Sequence, residues 1–188
     1  MKRLGVLFAL CLLLAGNSIA RADAPVPPAS AQANAAYNDP SMHFSPQPSW
    51  YRVGIPGYDP TDLSNPTTVA AYIKDPGKEY QQSITIQLQD YDGVLAGFET
   101  FNENQIREKV DVFVDKKDLT TLTNGMPCYF VKMSFGSGFQ SKQVYQYVIF
   151  DGKRGITVSV TGRLGELSED QAKAYLKDLS VVLYPAGR

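Results

Sequence analysis

Apolar and polar residues alternate one by one in two stretches of the chain. Over residues 84–88, and again over 156–160, every second residue is Ile, Leu or Val, and the residues between them are Thr, Gln or Ser. A period of two places successive side chains on opposite sides of a β-strand. Each stretch is therefore predicted to be a strand with one buried, apolar face and one polar face.

Two further strands follow from denser apolar patterns. Residues 144–150 are apolar on both faces, which is typical of a strand at the centre of a sheet. Residues 128–135 come shortly after Asn124-Gly125, a strong hairpin-turn pair. The glycines within residues 151–155 can take positive φ, so this connection is predicted to be a hairpin. The sheet is thus at least partly antiparallel.

Helical spacing occurs twice. Residues 168–171, Ser-Glu-Asp-Gln, form a capping box, and apolar residues follow at helical intervals. Residues 94–110 carry a broad apolar face, although Gly97 and two asparagines lower the helix propensity there. Both stretches are predicted to be helices, and a last short strand is predicted at residues 181–183.

The beginning of the chain has the features of a secretory signal peptide. Lys2 and Arg3 precede an apolar run over residues 4–15, and Ala20 and Ala22 have the spacing that a signal peptidase accepts. The run is shorter than the roughly 20 residues of a membrane-spanning helix. We therefore expect cleavage near Ala22, a periplasmic or secreted protein, and no integral membrane span in the mature chain.

The chain is predicted to have three parts: the signal peptide, a linker and one domain. Residues 1–22 are predicted to be the signal peptide, and residues 23–36 are rich in Ala and Pro without large apolar side chains. Such a segment cannot bury enough apolar surface to order itself, so it is predicted to be a flexible linker. Residues 37–185 have the length and apolar content of a single domain.

Charge and motif spacing exclude several function classes. Of the 18 basic residues three lie in the signal peptide, so 15 remain against 19 acidic ones, and they form no cationic stripe. Nucleic acid is not an expected partner. No glycine-rich segment has the spacing of a phosphate-binding loop, and the single histidine, His43, cannot complete a usual zinc site. We expect no cofactor and no metal.

Cys128 is the sharpest chemical candidate, because it is the only cysteine beyond the signal peptide. A reactive thiol needs a lowered pKa and a base that accepts its proton, and His43 is the only histidine. The sequence does not bring residues 43 and 128 together. Three interpretations stay open: a buried structural thiol, a reactive thiol, and a disulfide-linked dimer through Cys128.

Aromatic residues make up 11% of the chain and suggest a second candidate site. Aromatic rings are enriched in binding sites, but they also fill the space between a sheet and its helices. The rings considered for a pocket are Trp50, Tyr51, Tyr58, Tyr72, Tyr145 and Tyr147. Of these, Trp50, Tyr51, Tyr145 and Tyr147 are the candidate ligand or partner surface.

Three segments resemble a known family. Phe44, Pro46 and Trp50 in HFSPQPSW resemble the opening of the PsbP-like superfamily and of its bacterial periplasmic relatives, the DcrB-like proteins, with one more residue between Pro46 and Trp50. NGMPCYFV resembles the hairpin that introduces their central strands, and SEDQAKAYLKDLSVVLYP resembles their closing helix and strand. The resemblance implies an α+β fold, a central antiparallel sheet flanked by helices in an α/β/α sandwich, and no catalytic residues.

The leading functional interpretation is an exported, non-catalytic module that binds an unknown protein of the cell envelope. It depends on the signal peptide, the linker and the missing catalytic motifs. Two alternatives stay open. One is a small-ligand-binding protein with an aromatic pocket, and the other is a Cys128-dependent enzyme or redox protein.

Overall fold

Eight antiparallel strands form a central sheet in the computed structural model, which describes residues 32–55, 62–76, 81–136 and 141–185. The strands are β1 (Gln32–Ala33), β2 (Tyr37–Asn38), β3 (Met42–Phe44), β4 (Trp50–Val53), β5 (Thr67–Lys74), β6 (Ser83–Asp90), β7 (Val112–Thr121), β8 (Pro127–Phe135), β9 (Lys142–Phe150), β10 (Arg154–Arg163) and β11 (Ser180–Val181). The central sheet has the order β1-β4-β5-β6-β10-β9-β8-β7, and β11, β3 and β2 form a separate three-stranded sheet.

The predicted strands are all present. β6, β8, β9 and β10 cover the four stretches identified from the apolar pattern, and β10 pairs with β6 on one side and β9 on the other. The hairpin between β9 and β10 is confirmed, with Gly152 at φ 92°, as is the one between β7 and β8, with Gly125 at φ 86°. The last strand is Ser180–Val181 rather than residues 181–183.

The described residues form two α-helices, α1 (Leu95–Arg107) and α2 (Glu169–Tyr175). The capping box of α2 is confirmed, because Ser168 Oγ accepts from the Gln171 N–H and Gln171 Oε1 accepts from the Ser168 N–H. Helix α1 has no side-chain cap at Val94 and is shorter than the predicted 94–110. Its stability therefore comes from packing on the sheet.

The two faces of the central sheet are both covered. Helix α1 packs on one face, where Phe98, Val131 and Val148 belong to one apolar cluster. Helix α2 and the small sheet cover the other face, where the aliphatic side chains of β6 and β10 lie. This arrangement is the predicted α+β fold with a central antiparallel sheet flanked by helices.

The polar face of β6 and β10 differs from its prediction. The alternation suggested one buried face, but the polar side chains on the α1 side are buried as well, among them Thr85, Thr157, Ser159 and Thr161. The reason is tertiary: β10 has a neighbouring strand on each side, and α1 lies above this face of the sheet. Strand periodicity therefore identified which side chains share a face, and not which faces meet water.

A buried ion network joins the small sheet to the β9–β10 hairpin. Asp151 is 0% exposed, and its Oδ2 accepts from Arg154 Nε at 3.0 Å and from Ser41 Oγ at 2.7 Å. Arg154 also donates to Asp39 Oδ1 at 3.2 Å and stacks on the Tyr184 ring. The sequence pattern indicated only a turn at this position. The network makes the turn the link between the two sheets.

The folded part of the chain begins earlier than predicted. Residues Gln32 and Ala33, placed in the flexible linker of residues 23–36, form β1 and pair with Arg52 and Tyr51 of β4. The Asn34 N–H donates to the Trp50 carbonyl at 3.0 Å. Backbone hydrogen bonds order this segment, so the absence of large apolar side chains did not predict its structure.

Within the described residues, no helix combines the length and apolarity needed to cross a membrane. The same residues contain no group of three or more His, Cys, Asp or Glu side chains arranged to hold a metal ion.

Candidate binding groove

A groove with a volume of ≈ 80 Å³ lies between the second half of α1 and the sheet. Its apolar wall is formed by Ile106 near the end of α1, by Val110 just beyond the helix, and by side chains of β9 and β8, namely Val144, Met133 and Phe135. Phe98 fills the space under the first half of the helix, whereas the smaller side chains near the second half leave it open. The sheet face under α1 is therefore packed at one end and grooved at the other.

The floor of the groove is polar and hydrogen-bonded. Asn102 Nδ2 of α1 donates to Gln146 Oε1 at 2.8 Å, and Gln146 Nε2 donates to Ser159 Oγ at 2.9 Å. Gln146 and Ser159 are 4% and 6% exposed. This chain of bonds fixes the orientation of the Gln146 amide, and the Ser159 hydroxyl that accepts from it still has one proton to donate. The floor therefore offers oriented donors and acceptors inside an apolar surround.

The periodicity in the sequence placed the floor residues correctly on one strand face but gave no reason to group them. Their juxtaposition needs β6, β10 and β9 side by side with α1 crossing above them. The one local signal was a run of Thr, Gln and Ser opposite an aliphatic face, near an amphipathic helix. Such a run is also what a solvent-facing strand would carry.

The aromatic candidates lie elsewhere. Trp50 is 0% exposed and Tyr145 is 4% exposed, so neither belongs to an accessible surface. Trp50 packs edge-on against Tyr175 of α2, with ring centroids 5.1 Å apart, and Tyr145 stacks on Phe130. Both side chains are in the core on the face opposite the groove. Strand periodicity could not show that Trp50 lies beneath α2, because that contact joins distant parts of the chain.

The other tyrosines divide between core and surface. Tyr72 is buried, and its hydroxyl has no hydrogen-bond partner among the described residues. Tyr51 is partly exposed on β4, near the opposite end of the sheet from β8. Tyr147 is partly buried and lines a more open, polar depression with Phe130 and Lys173. Tyr58 lies outside the described residues. The structure therefore does not assemble the proposed aromatic surface.

Cys128 and His43 are also separate. Cys128 is 0% exposed on β8, and burial raises the pKa of its thiol to about 12. His43 is exposed on the small sheet, where its Nδ1 lies 2.5 Å from Asn38 Oδ1. A fully buried thiol with a raised pKa is a packed side chain and not a prepared nucleophile. Of the three interpretations, the geometry favours the structural thiol.

We expect the Cys128 thiol to react slowly in the folded protein. In a chain of residues 23–188 it is the only thiol, so a chromogenic disulfide such as DTNB reports on it alone. Labelling at pH 8 should be at least about 100-fold slower in native buffer than in guanidinium chloride, because the folded thiol is both shielded and protonated. Fast native labelling that persists below the ordinary thiol pKa of about 8.5 would contradict the structural interpretation.

Comparison with one solved structure supports the architecture. No family model matches the chain, and no curated protein matches it in sequence. Among solved structures, the cyanobacterial PsbP protein CyanoP from Synechocystis sp. PCC 6803 is similar with a TM-score of 0.52 and 12% identity, over 83% of this chain and 95% of that one. A Pseudomonas aeruginosa protein of unknown function, PA94, gives a TM-score of 0.48 and 9% identity, over 71% of this chain and 85% of that one. The chain has a PsbP-like fold.

Proposed function

We propose that this protein is a non-catalytic binding module of the cell envelope and that the groove beneath α1, defined by the lining residues above, is its ligand site. The observation that supports the proposal is the combination of an apolar wall with a buried, hydrogen-bonded polar floor. Small-molecule sites are concave and mostly apolar, with a few placed polar groups that orient the ligand. Of the alternatives raised by the sequence, the small-ligand interpretation fits this geometry, with a different set of residues.

The setting of the groove favours binding over catalysis. Its lining residues include no Cys, His, Asp or Glu, so the Thr85 and Ser159 hydroxyls have no imidazole or carboxylate beside them to act as a general base. The amides and hydroxyls that are present hold a ligand by hydrogen bonds and do not titrate near neutral pH. A module that captures a molecule and presents it to an envelope partner is consistent with this chemistry.

Location and branch are part of the same proposal. The signal peptide predicted for residues 1–22 supports export to the periplasm, and the HFSPQPSW and closing-helix resemblances support the DcrB-like, bacterial periplasmic branch of PsbP-like proteins. Protein expressed from the sequence with residues 1–22 and released by osmotic shock should have the intact mass of a chain that begins at Asp23. The same preparation serves for the binding experiment.

The test of binding is a fragment titration followed by NMR. We expect neutral, anionic or cationic fragments of roughly five to eight non-hydrogen atoms to shift the backbone amides of Asn102, Gln146 and Ser159 in ¹H–¹⁵N spectra. Ile106→Trp should remove these shifts, because the larger ring fills the groove from its partly exposed rim. Phe101→Trp is the matched control, since it enlarges an exposed ring on the same helix outside the groove.

Two results would contradict the proposal. One is that no fragment in the panel shifts amides at the groove in the wild-type protein. The other is that the shifts persist unchanged in Ile106→Trp, or appear instead at Tyr147 and Lys173 around the polar depression on the other face. Both variants need spectra with native dispersion for the comparison to count.

A further inference from the structure

The lining of the α1 groove changes from polar to apolar in the order of the strands. Thr85 on β6 and Ser159 on β10 supply hydroxyls at one side, whereas Val144 on β9, Met133 on β8 and Val112 on β7 supply only carbon and sulfur. These strands are neighbours in that sequence, so the change runs across the sheet in one direction. A molecule that fits the groove along this direction has one polar end and one apolar end.

One charge lies at the groove. Among the lining residues in the described part of the chain, Lys109 alone is charged, and it is exposed just after α1 ends. Gln105, four residues earlier, also lines the groove. The adjacent acidic residues Glu108 and Asp111 are not part of the lining. The lining therefore offers a bound molecule one cation together with hydroxyl and amide groups, and it contains no carboxylate.

The end of α1 does not oppose an anion strongly. The last carbonyls of a helix carry partial negative charge when they have no partner. Here the Asn104 carbonyl accepts from the Glu108 N–H at 3.0 Å, and the Ile106 carbonyl accepts from the N–H groups of Lys109 and Val110 at 3.0 and 3.1 Å. These bonds give partners to two of the last four carbonyls of α1.

We propose that the groove binds a short amphipathic carboxylate, with its aliphatic chain against Val144 and Met133 and its carboxylate beside Lys109. This rests on the proposed function, in which the α1 groove is a ligand site. A volume of ≈ 80 Å³ limits the size of the occupant. Since a water needs about 10–15 Å³ on the same measure, the groove holds roughly five to eight non-hydrogen atoms. Hexanoate has eight.

The experiment compares three probes of equal chain length: hexanoate, 1-hexanol and hexylammonium. Each is titrated into the wild-type protein, Lys109→Met and Lys177→Met, and the dissociation constant is taken from the amide shifts. Lys177 is an exposed lysine after α2, on the opposite side of the sheet, so its replacement removes the same charge without touching the groove.

We expect hexanoate to bind more tightly than hexanol and hexylammonium to bind most weakly. Lys109→Met should weaken hexanoate about two- to fivefold, the range of an exposed ion pair, and should leave hexanol unchanged. Lys177→Met should change neither. Nuclear Overhauser effects should join the terminal methyl of hexanoate to the Met133 and Val144 methyl groups, and its C2 protons to the Lys109 side chain.

The outcomes separate the two proposals. Equal binding of hexanoate and hexanol, with no effect of Lys109→Met, would overturn the carboxylate assignment while leaving the groove as a site for neutral molecules. Preferred binding of hexylammonium would overturn it in the same way. A reversed pattern of Overhauser effects would overturn the orientation. If none of the three probes and no fragment of the panel shifts any amide of the groove, the proposed function itself would be overturned.

Discussion

Replacing Gly155 by alanine is expected to destabilise the fold by about 3–5 kcal/mol. A Cβ built at Gly155 would lie 1.9 Å from Cε2 of Phe98 and 2.1 Å from its Cζ. Such distances are far inside van der Waals contact, so the ring of Phe98 must leave its site. Phe98 is the buried aromatic anchor of α1, and the loss of a buried Phe typically costs about this amount.

The backbone at Gly155 cannot move aside to relieve the contact. Gly155 is paired with Phe150 of β9 on one side and with Gln89 of β6 on the other. Guanidinium denaturation of the Gly155→Ala variant should show the loss as a lower midpoint. Gly162→Ala is the matched control in the same strand, because its nearest neighbour would be 3.0 Å away, and it should cost clearly less.

A double-mutant cycle identifies the cause. Phe98→Ala removes the ring that the new methyl group would strike, so Gly155→Ala should cost little in that background. The two single substitutions should therefore be strongly non-additive. Equal effects of Gly155→Ala and Gly162→Ala, or a double variant as unstable as the sum of its parts, would contradict the packing described for α1.

Replacing Arg154 by methionine is expected to cost about 3–5 kcal/mol of stability. The change keeps the aliphatic part of the side chain but leaves Asp151, which is fully buried, and Asp39 without their cation. Removing one partner of a buried ion pair is expensive because the remaining charge stays buried and unpaired. The control is Lys173→Met, which breaks the more exposed ion pair between Lys173 and Glu169. Chemical denaturation should show that this control lowers the free energy of unfolding by less than about 1 kcal/mol.

The same network should make the stability of the protein depend on pH in the acid range. Burial acts to raise the pKa of Asp39, but hydrogen bonds from the Ser41 N–H and from Arg154 outweigh it and hold the pKa below its ordinary value of 3.8. A lowered pKa means that the folded state favours the ionised carboxylate. Its contribution is present above pH ~4 and is lost as the pH falls through the lowered folded pKa. Arg154→Met should make this part of the acid decline shallower, and equal slopes for both proteins would argue against the network.

The fold was largely predictable because its central strands carry their pattern locally. Apolar and polar residues alternate without exception over residues 84–88 and 156–160, and a capping box in the sequence marks the start of α2. β7 did not stand out, since it is an edge strand whose residues are mostly exposed, four of the ten being charged. β1 has only two residues, and its pairing with β4 is set by backbone bonds that no side-chain pattern records.

The candidate site could not be predicted in the same way. Asn102, Gln146 and Ser159 are far apart in the chain, and their hydrogen bonds exist only once α1 lies over β9 and β10. Trp50 was considered for a surface because aromatic rings are enriched in binding sites, whereas in the structure it is fully buried in the core cluster that includes residues of the small sheet and α2. Asp151 and Arg154 are close in sequence, but the hydrogen bonds that complete their network come from Asp39 and Ser41, in the connection between β2 and β3 of the small sheet.

The most direct test of the central claim is the fragment titration of the wild-type protein against Ile106→Trp. If the groove beneath α1 is a ligand site, amide shifts of the wild-type protein will cluster at Asn102, Gln146 and Ser159, and the Ile106→Trp spectra will not move. A wild-type spectrum that stays unchanged across the panel, or shifts that are equal in both proteins, would show that the groove is not a binding site.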